Sequence, residues 1–164
     1  MSFLRSFKFA FCGIIHCIKN ERNMRFHTVA ALYVLAFARF FDFSKEDYIL
    51  LLFTIGGVIS AEMFNTSIEN LCDKVSKEFH PLIKSAKDCA AGAVLVLAIF
   101  AAVIGIILFG NINGLLSMYN FYITHPINLS LLIISAILSL FFIVGRRKKS
   151  KKRAKTRTYS AATV

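Results

Sequence analysis

Two carboxylates, Glu62 and Glu69, stand where an apolar run passes into polar sequence, in SAEMFNTSIENLCD at residues 60–73. Asn65 and Asp73 share their spacing. Offsets of 3, 7 and 11 from Glu62 return to nearly one face of a helix that turns about 100° per residue. Carboxylates near the end of a membrane-length helix are costly to desolvate, so they face a bundle interior or a watery cavity. Such a face suits a metal ion, a phosphate or a proton in transfer. The plain alternative is a set of interfacial acids that close a helix and meet lysines.

More polar residues gather on the same side of the apolar runs. Glu21, Glu78 and Asp88 join Glu62, Glu69 and Asp73, with His80, Lys84 and Lys87 among them. Hard divalent cations such as Mg²⁺ take carboxylate oxygens and keep part of their hydration, which leaves positions for phosphate. A lysine near phosphates supplies charge as phosphoryl transfer proceeds, and a carboxylate at the bilayer edge can accept a proton from a lipid hydroxyl. Together these point to phosphoryl transfer from a soluble donor to a lipid headgroup. No GxxxxGK[ST], GxGxxG or HRD motif occurs, which lowers the expectation of ATP use without excluding it. On spacing alone, Glu21 reads as part of a solvated cluster that offsets Arg22 and Arg25.

The elements that must position these residues follow from composition. The chain is 57% hydrophobic with 17 Phe and no Trp, and its mean hydropathy is +0.64. That is too apolar for an ordinary soluble domain and indicates an all-α integral membrane protein. The net charge of +11 does not indicate nucleic acid, because nine of the 20 Lys and Arg lie within residues 146–157, beyond the last apolar run. A cluster there contacts anionic lipid or sets topology. Cys12, Cys17, Cys72 and Cys89 form no CxxC pair and stand at no zinc-ligand spacing. No cleavable signal peptide is evident.

Along the chain, residues 2–19 are apolar but carry Arg5 and Lys8, which fits an amphipathic helix lying at the interface. Residues 28–41 form a first span, short against the roughly 20 residues a span needs, so Phe26 and His27 extend it and Arg39 snorkels. Residues 48–61 open a second span that reaches full length through the SAEMFNTSIEN stretch. Residues 74–88 read as a polar connection broken by Pro81, and 89–109 as a third span whose AAGAV start allows close helix approach. Residues 110–126 read as an uncharged loop, 127–144 as a fourth span, and 146–164 as a disordered basic tail.

Basic residues fall five in the N-terminal segment, four in 74–88 and nine in the tail, against only Arg39 and Lys45 at the 39–47 link. Four spans with both termini in the cytoplasm satisfy that distribution. The six acids then share the cytoplasmic boundary, while Asp42, Glu46 and Asp47 lie outside. An ion or proton transporter with Glu62 and Glu69 as relays would need stations across the bilayer, and spans one, three and four have no charge deep within them. A non-catalytic membrane scaffold would account for the tail but not for the polar face of the second helix.

AEMFNTSIENLCD, followed by EFHPLIKSAKDCAAGAVLV, closely resembles the signature of the small prokaryotic diacylglycerol kinase and undecaprenol kinase family. SFKFAFCGI and KNERNMRFH resemble the amphipathic helix and first-span entry of its Gram-positive members, and the likeness covers about residues 2–109. The resemblance implies a homotrimer of three-span protomers in the bacterial plasma membrane, with active sites shared between subunits on the cytoplasmic side. It implies transfer of the ATP γ-phosphate, with Mg²⁺, to a lipid alcohol. The Gram-positive likeness favours undecaprenol over diacylglycerol as acceptor. By position, Glu62 resembles the catalytic base and Asn65 the partner that orients it, while Glu21 and Glu69 resemble the metal-binding carboxylates. Glu78, His80, Lys87 and Asp88 match positions that contact nucleotide, together with the two metal-binding carboxylates. Glu62 and Ala91 match positions at the lipid acceptor, and Asp73 has a supporting role. The kinase domain is then residues 1–110. Residues 111–145 are an added loop and helix, and residues 146–164 a tail that meets anionic lipid. Phe9 and Ala10 depart from members that carry polar substrate contacts in the N-terminal helix.

Overall fold

The computed structural model describes residues 3–76 and 78–145, which form six helices and no strand. Helix α1, Phe3–Asn20, exposes Phe3, Phe7 and Phe11, a three-to-four spacing that presents an apolar stripe to an interface. It ends where Asn20 Nδ2 turns back to the His16 carbonyl at 2.8 Å. Glu21 then takes an extended conformation as the N-cap of α2, Arg22–Ala38. Its side chain makes no capping bond, so the carboxylate is not engaged in closing the helix.

The first span differs from expectation. Helix α2 starts earlier than residue 28 and stops at Ala38. Its 17 residues measure about 26 Å at the usual rise, under the roughly 30 Å hydrocarbon core. Among the described residues the helices long and apolar enough to cross a membrane are α3, α4 and α6.

Helix α3, Lys45–Val75, opens on a capping box in which Asp47 N–H donates to Ser44 Oγ at 3.2 Å and Ser44 N–H to Asp47 Oδ2 at 2.9 Å. Its 31 residues extend about 46 Å, more than the roughly 30 Å hydrocarbon core, so its last turns run past the hydrocarbon edge. They carry Glu69 and Asp73 there, with Glu62, about 26 Å along, close to that edge. Both neighbouring helices cut into the polar connection expected over 74–88, with α3 running to Val75 and the next helix starting at Pro81. Pro81 does not break a helix but begins one: it is the first residue of α4, Pro81–Phe109, after a His80 N-cap whose Nδ1 accepts from Leu82 N–H at 3.3 Å. Proline suits that position because the first helical N–H has no partner to lose. Helices α3 and α4 pair as the central hairpin.

The loop expected over 110–126 is instead helix α5, Ile112–Thr124, capped by Asn111 Oδ1 on Asn113 N–H at 2.9 Å. Its asparagines and glycine serve as cap and contact. A Cβ on Gly114 would lie 2.3 Å from Phe41 Cδ1, so α5 settles on that ring only because residue 114 lacks a side chain. Phe41 also meets Phe109, with ring centres 4.8 Å apart, and Arg39 stacks on Phe40 and Phe121 at 4.7 and 5.0 Å. Helix α6, Pro126–Val144, returns along α2. Tyr33 Oη bonds Ser135 Oγ at 2.9 Å and Ser139 Oγ at 3.3 Å, and the Arg25 guanidinium lies 5.9 Å from the Phe142 ring centre. The expected disordered tail, 146–164, lies outside the described residues.

Candidate active site

Glu62 lies about four turns and more into α3 and is 2% exposed. Its Oε1 has no hydrogen bond, and the nearest basic atom is His27 Nε2 of α2 at 3.4 Å. Glu69 and Glu21 lie within electrostatic reach of the Glu62 carboxylate. Asn65, also buried, turns its amide away from Glu62: Nδ2 donates to Glu69 Oε1 at 3.1 Å, while Oδ1 is buried without a partner. Asn65 thus orients Glu69, and the side chain against Glu62 is His27. Sequence reading used His27 only to lengthen a span.

Helix α1 closes the site from the side. Buried Cys17 sits against Thr66, one residue beyond Asn65. Burial pushes the Cys17 thiol up, the Thr66 hydrogen bond offsets part of that, and the charges of Glu21 and Glu62 add to it. The thiol stays protonated and packs as a small apolar group. Cys17 and Thr66 are residues that no spacing rule singles out.

The remaining candidates form a second, exposed group around the α3–α4 turn. Asp73 of α3 and Lys87 of α4 make an ion pair across the hairpin. Glu78, His80, Asp88 and Ala91 are all exposed. The Glu78 backbone is tied to Ser76 Oγ by two bonds of 3.1 Å, and the His80 ring caps α4. The structure therefore brings Glu21, Glu62, Asn65 and Glu69 together and leaves Asp73, Glu78, His80, Lys87, Asp88 and Ala91 along the adjoining surface.

Among the described residues no group of three or more His, Cys, Asp or Glu stands ready to enclose a metal ion. The donor set still fits a hard cation that brings its own phosphate ligands. Glu21 and Glu69 supply two carboxylates, and Asn65 Oδ1 is a buried acceptor without a bond. Mg²⁺ is usually held by one or two carboxylates plus substrate phosphates.

An apolar cavity of about 300 Å³ opens between α2, α3 and α4. Ala30, Ala31, Ala98, Ala101 and Gly105 keep it wide, and His27 and Thr54 are its polar lining. His27 therefore faces both the cavity and Glu62. Small side chains around an apolar slot of this kind admit a hydrocarbon chain, and a polar group at its end would orient a headgroup.

Residues 8–109 match the family described as prokaryotic diacylglycerol kinase. The chain is 40% identical to an undecaprenol kinase of Bacillus subtilis over 65% of this chain and 87% of that protein. It is 37% identical to a diacylglycerol kinase of Synechocystis sp., over 62% of this chain and 59% of that protein. It is also 35% identical to a diacylglycerol kinase of Escherichia coli, over 52% and 69% respectively.

Proposed function

The chain belongs to the prokaryotic diacylglycerol kinase family, and from that premise we propose that it phosphorylates the primary hydroxyl of undecaprenol with ATP and Mg²⁺. The observation that carries the reading is the buried Glu62 carboxylate behind His27 at the polar end of an apolar cavity. Undecaprenol is favoured because the undecaprenol kinase relative is 40% identical, above the 37% and 35% of the two diacylglycerol kinases. The transporter alternative is not carried forward, since the relatives are kinases.

Glu62 takes the hydroxyl proton as the acceptor oxygen bonds to the γ-phosphorus. The bond from that phosphorus to its bridging oxygen breaks, and ADP leaves with the electron pair. A base is useful here only when fixed within hydrogen-bond reach of the hydroxyl, which burial between helices provides. Glu21 and Glu69 would hold Mg²⁺, which when bound would neutralise the phosphate charge. Asn65 fixes the Glu69 carboxylate through its 3.1 Å bond. Lys87, kept in place by Asp73, meets the phosphates, and Glu78, His80 and Asp88 meet the rest of the nucleotide. Ala91 borders the acceptor.

The kinase unit is residues 1–110, and 111–145 is an addition to it. The site faces the cytoplasm, as do both termini. The apolar exposed surface of α4, only 6% of whose most hydrophobic window is buried, serves a homotrimer and lipid. The basic tail meets anionic lipid. A panel of lipid alcohols in mixed micelles with labelled ATP and Mg²⁺ tests the function. Label should enter undecaprenol in preference to diacylglycerol. Preference for diacylglycerol would reverse the acceptor assignment, and transfer to neither would overturn the reading.

A further inference from the structure

A carboxylate that takes a proton must be aimed, and the residue that aims Glu62 is not the one its own helix offers. Asn65 is one turn away, but its amide donates to Glu69. The other groups around the carboxylate are Glu69 on α3, Glu21 at the head of α2 and Cys17 on α1. The two acids accept hydrogen bonds when ionised and do not donate them, and the Cys17 thiol is only a weak donor. His27 is the one basic side chain within 4 Å of Glu62 among the described residues. Its Nε2 faces Oε1, a buried oxygen with no hydrogen bond of its own. His27 also lines the cavity, so an acceptor that enters from the membrane side meets the imidazole next to the carboxylate.

Taking Glu62 as the base, as proposed above, we infer that His27 is its positioning residue. In the tautomer that carries hydrogen on Nε2, the ring donates to Oε1 and turns the other carboxylate oxygen toward the acceptor hydroxyl. The 3.4 Å separation shortens to hydrogen-bond length when substrate fills the cavity, as catalytic contacts commonly tighten only in the loaded site. The proton that leaves the hydroxyl goes to Glu62, and His27 keeps its own throughout.

The test compares His27→Leu, His27→Gln, Glu62→Gln and the double variant His27→Leu with Glu62→Gln, using the full chain in micelles with undecaprenol, ATP and Mg²⁺. His27→Leu should lower kcat by about tenfold or more, the scale of a misaimed catalytic group, with the KM for ATP unchanged. His27→Gln, which keeps an N–H donor, should restore most of that loss. Glu62→Gln should remove nearly all turnover, and adding His27→Leu to it should cost nothing further, because His27 acts through Glu62. If His27→Leu raises only the KM for the lipid, His27 is a wall of the cavity and the inference fails. Equal losses in the Leu and Gln variants would also sink it. Wild-type turnover in Glu62→Gln would instead remove Glu62 as the base. Melting temperatures accompany each assay. If His27→Leu does not fold, His27→Asn, whose amide is too short to reach Oε1, takes its place under the same expectations.

Discussion

Asn65 gives its amide to Glu69, and this decides what its removal should do. An outer partner that orients a metal-binding carboxylate influences affinity by about 10–100-fold. Asn65→Ala should therefore raise the Mg²⁺ concentration for half-maximal activity by about tenfold. Glu69→Gln and Glu21→Gln, which remove ligand oxygens, should raise it further. A metal titration that does not move in any of the three would refute the assignment of these residues. The one-sided polar face of α3 was legible because four residues at helical spacing lie within a single element. Glu21 and His27 were not legible by spacing, because they reach Glu62 from another helix, and only packing sets that distance. Family resemblance pointed to Glu21, since its position is part of a recognisable stretch. It gave no reason to look at His27, and the 3.4 Å contact does.

At the scale of elements, the two helices beyond residue 110 are joined to the rest by particular contacts. Helix α5 meets Phe41 at Gly114, where a Cβ would fall 2.3 Å from the ring. Gly114→Val should cost about 1–3 kcal/mol as overpacking and lower the melting temperature, and a variant as stable as the parent would show that α5 does not bear on Phe41. Helix α6 is bonded to α2 through Tyr33 and the hydroxyls of Ser135 and Ser139. Tyr33→Phe should cost about 1 kcal/mol, the usual size of a polar contact between membrane helices. The loss stays small because Ser135 keeps its own bond to the Leu132 carbonyl at 2.8 Å. Unchanged stability would mean that apolar packing alone holds α6. These elements also show where pattern reading succeeds. Long apolar runs announced α3, α4 and α6. The segment 110–126 was read as a loop because Asn and Gly usually interrupt helices. Here Asn111 caps one and Gly114 makes its closest contact, roles visible only once Phe41 is beside them.

For the whole molecule, the arrangement of the chain separates the chemistry from the added helices. Every residue assigned to the site precedes Phe109, where the family match ends, and the apolar cavity is walled by α2, α3 and α4 alone. Helices α5 and α6 contribute no residue to that lining. They cover Arg25, Tyr33 and Phe41, on parts of α2 and the following turn that do not line the cavity. Phe142 lies over Arg25, four residues after Glu21, so α6 brings the chain back to the end that holds the carboxylates. The charge asymmetry in the sequence anticipated this return, because it requires the tail and the N-terminal segment on one side. A chain ended after Phe109 should consequently keep its kcat within a few-fold while its melting temperature falls. Arg25 is 3% exposed in the full chain, and its Nε and Nη1 atoms are buried without partners. Removing α6 returns them to the headgroup region, a gain that partly offsets the lost packing around Tyr33 and Phe41. The measurement is lipid phosphorylation by truncated and full-length protein in the same micelles, with thermal unfolding of each. Loss of all turnover in a truncated protein that remains folded would mean that α5 and α6 belong to the working unit. Equal melting temperatures would mean that they only decorate it.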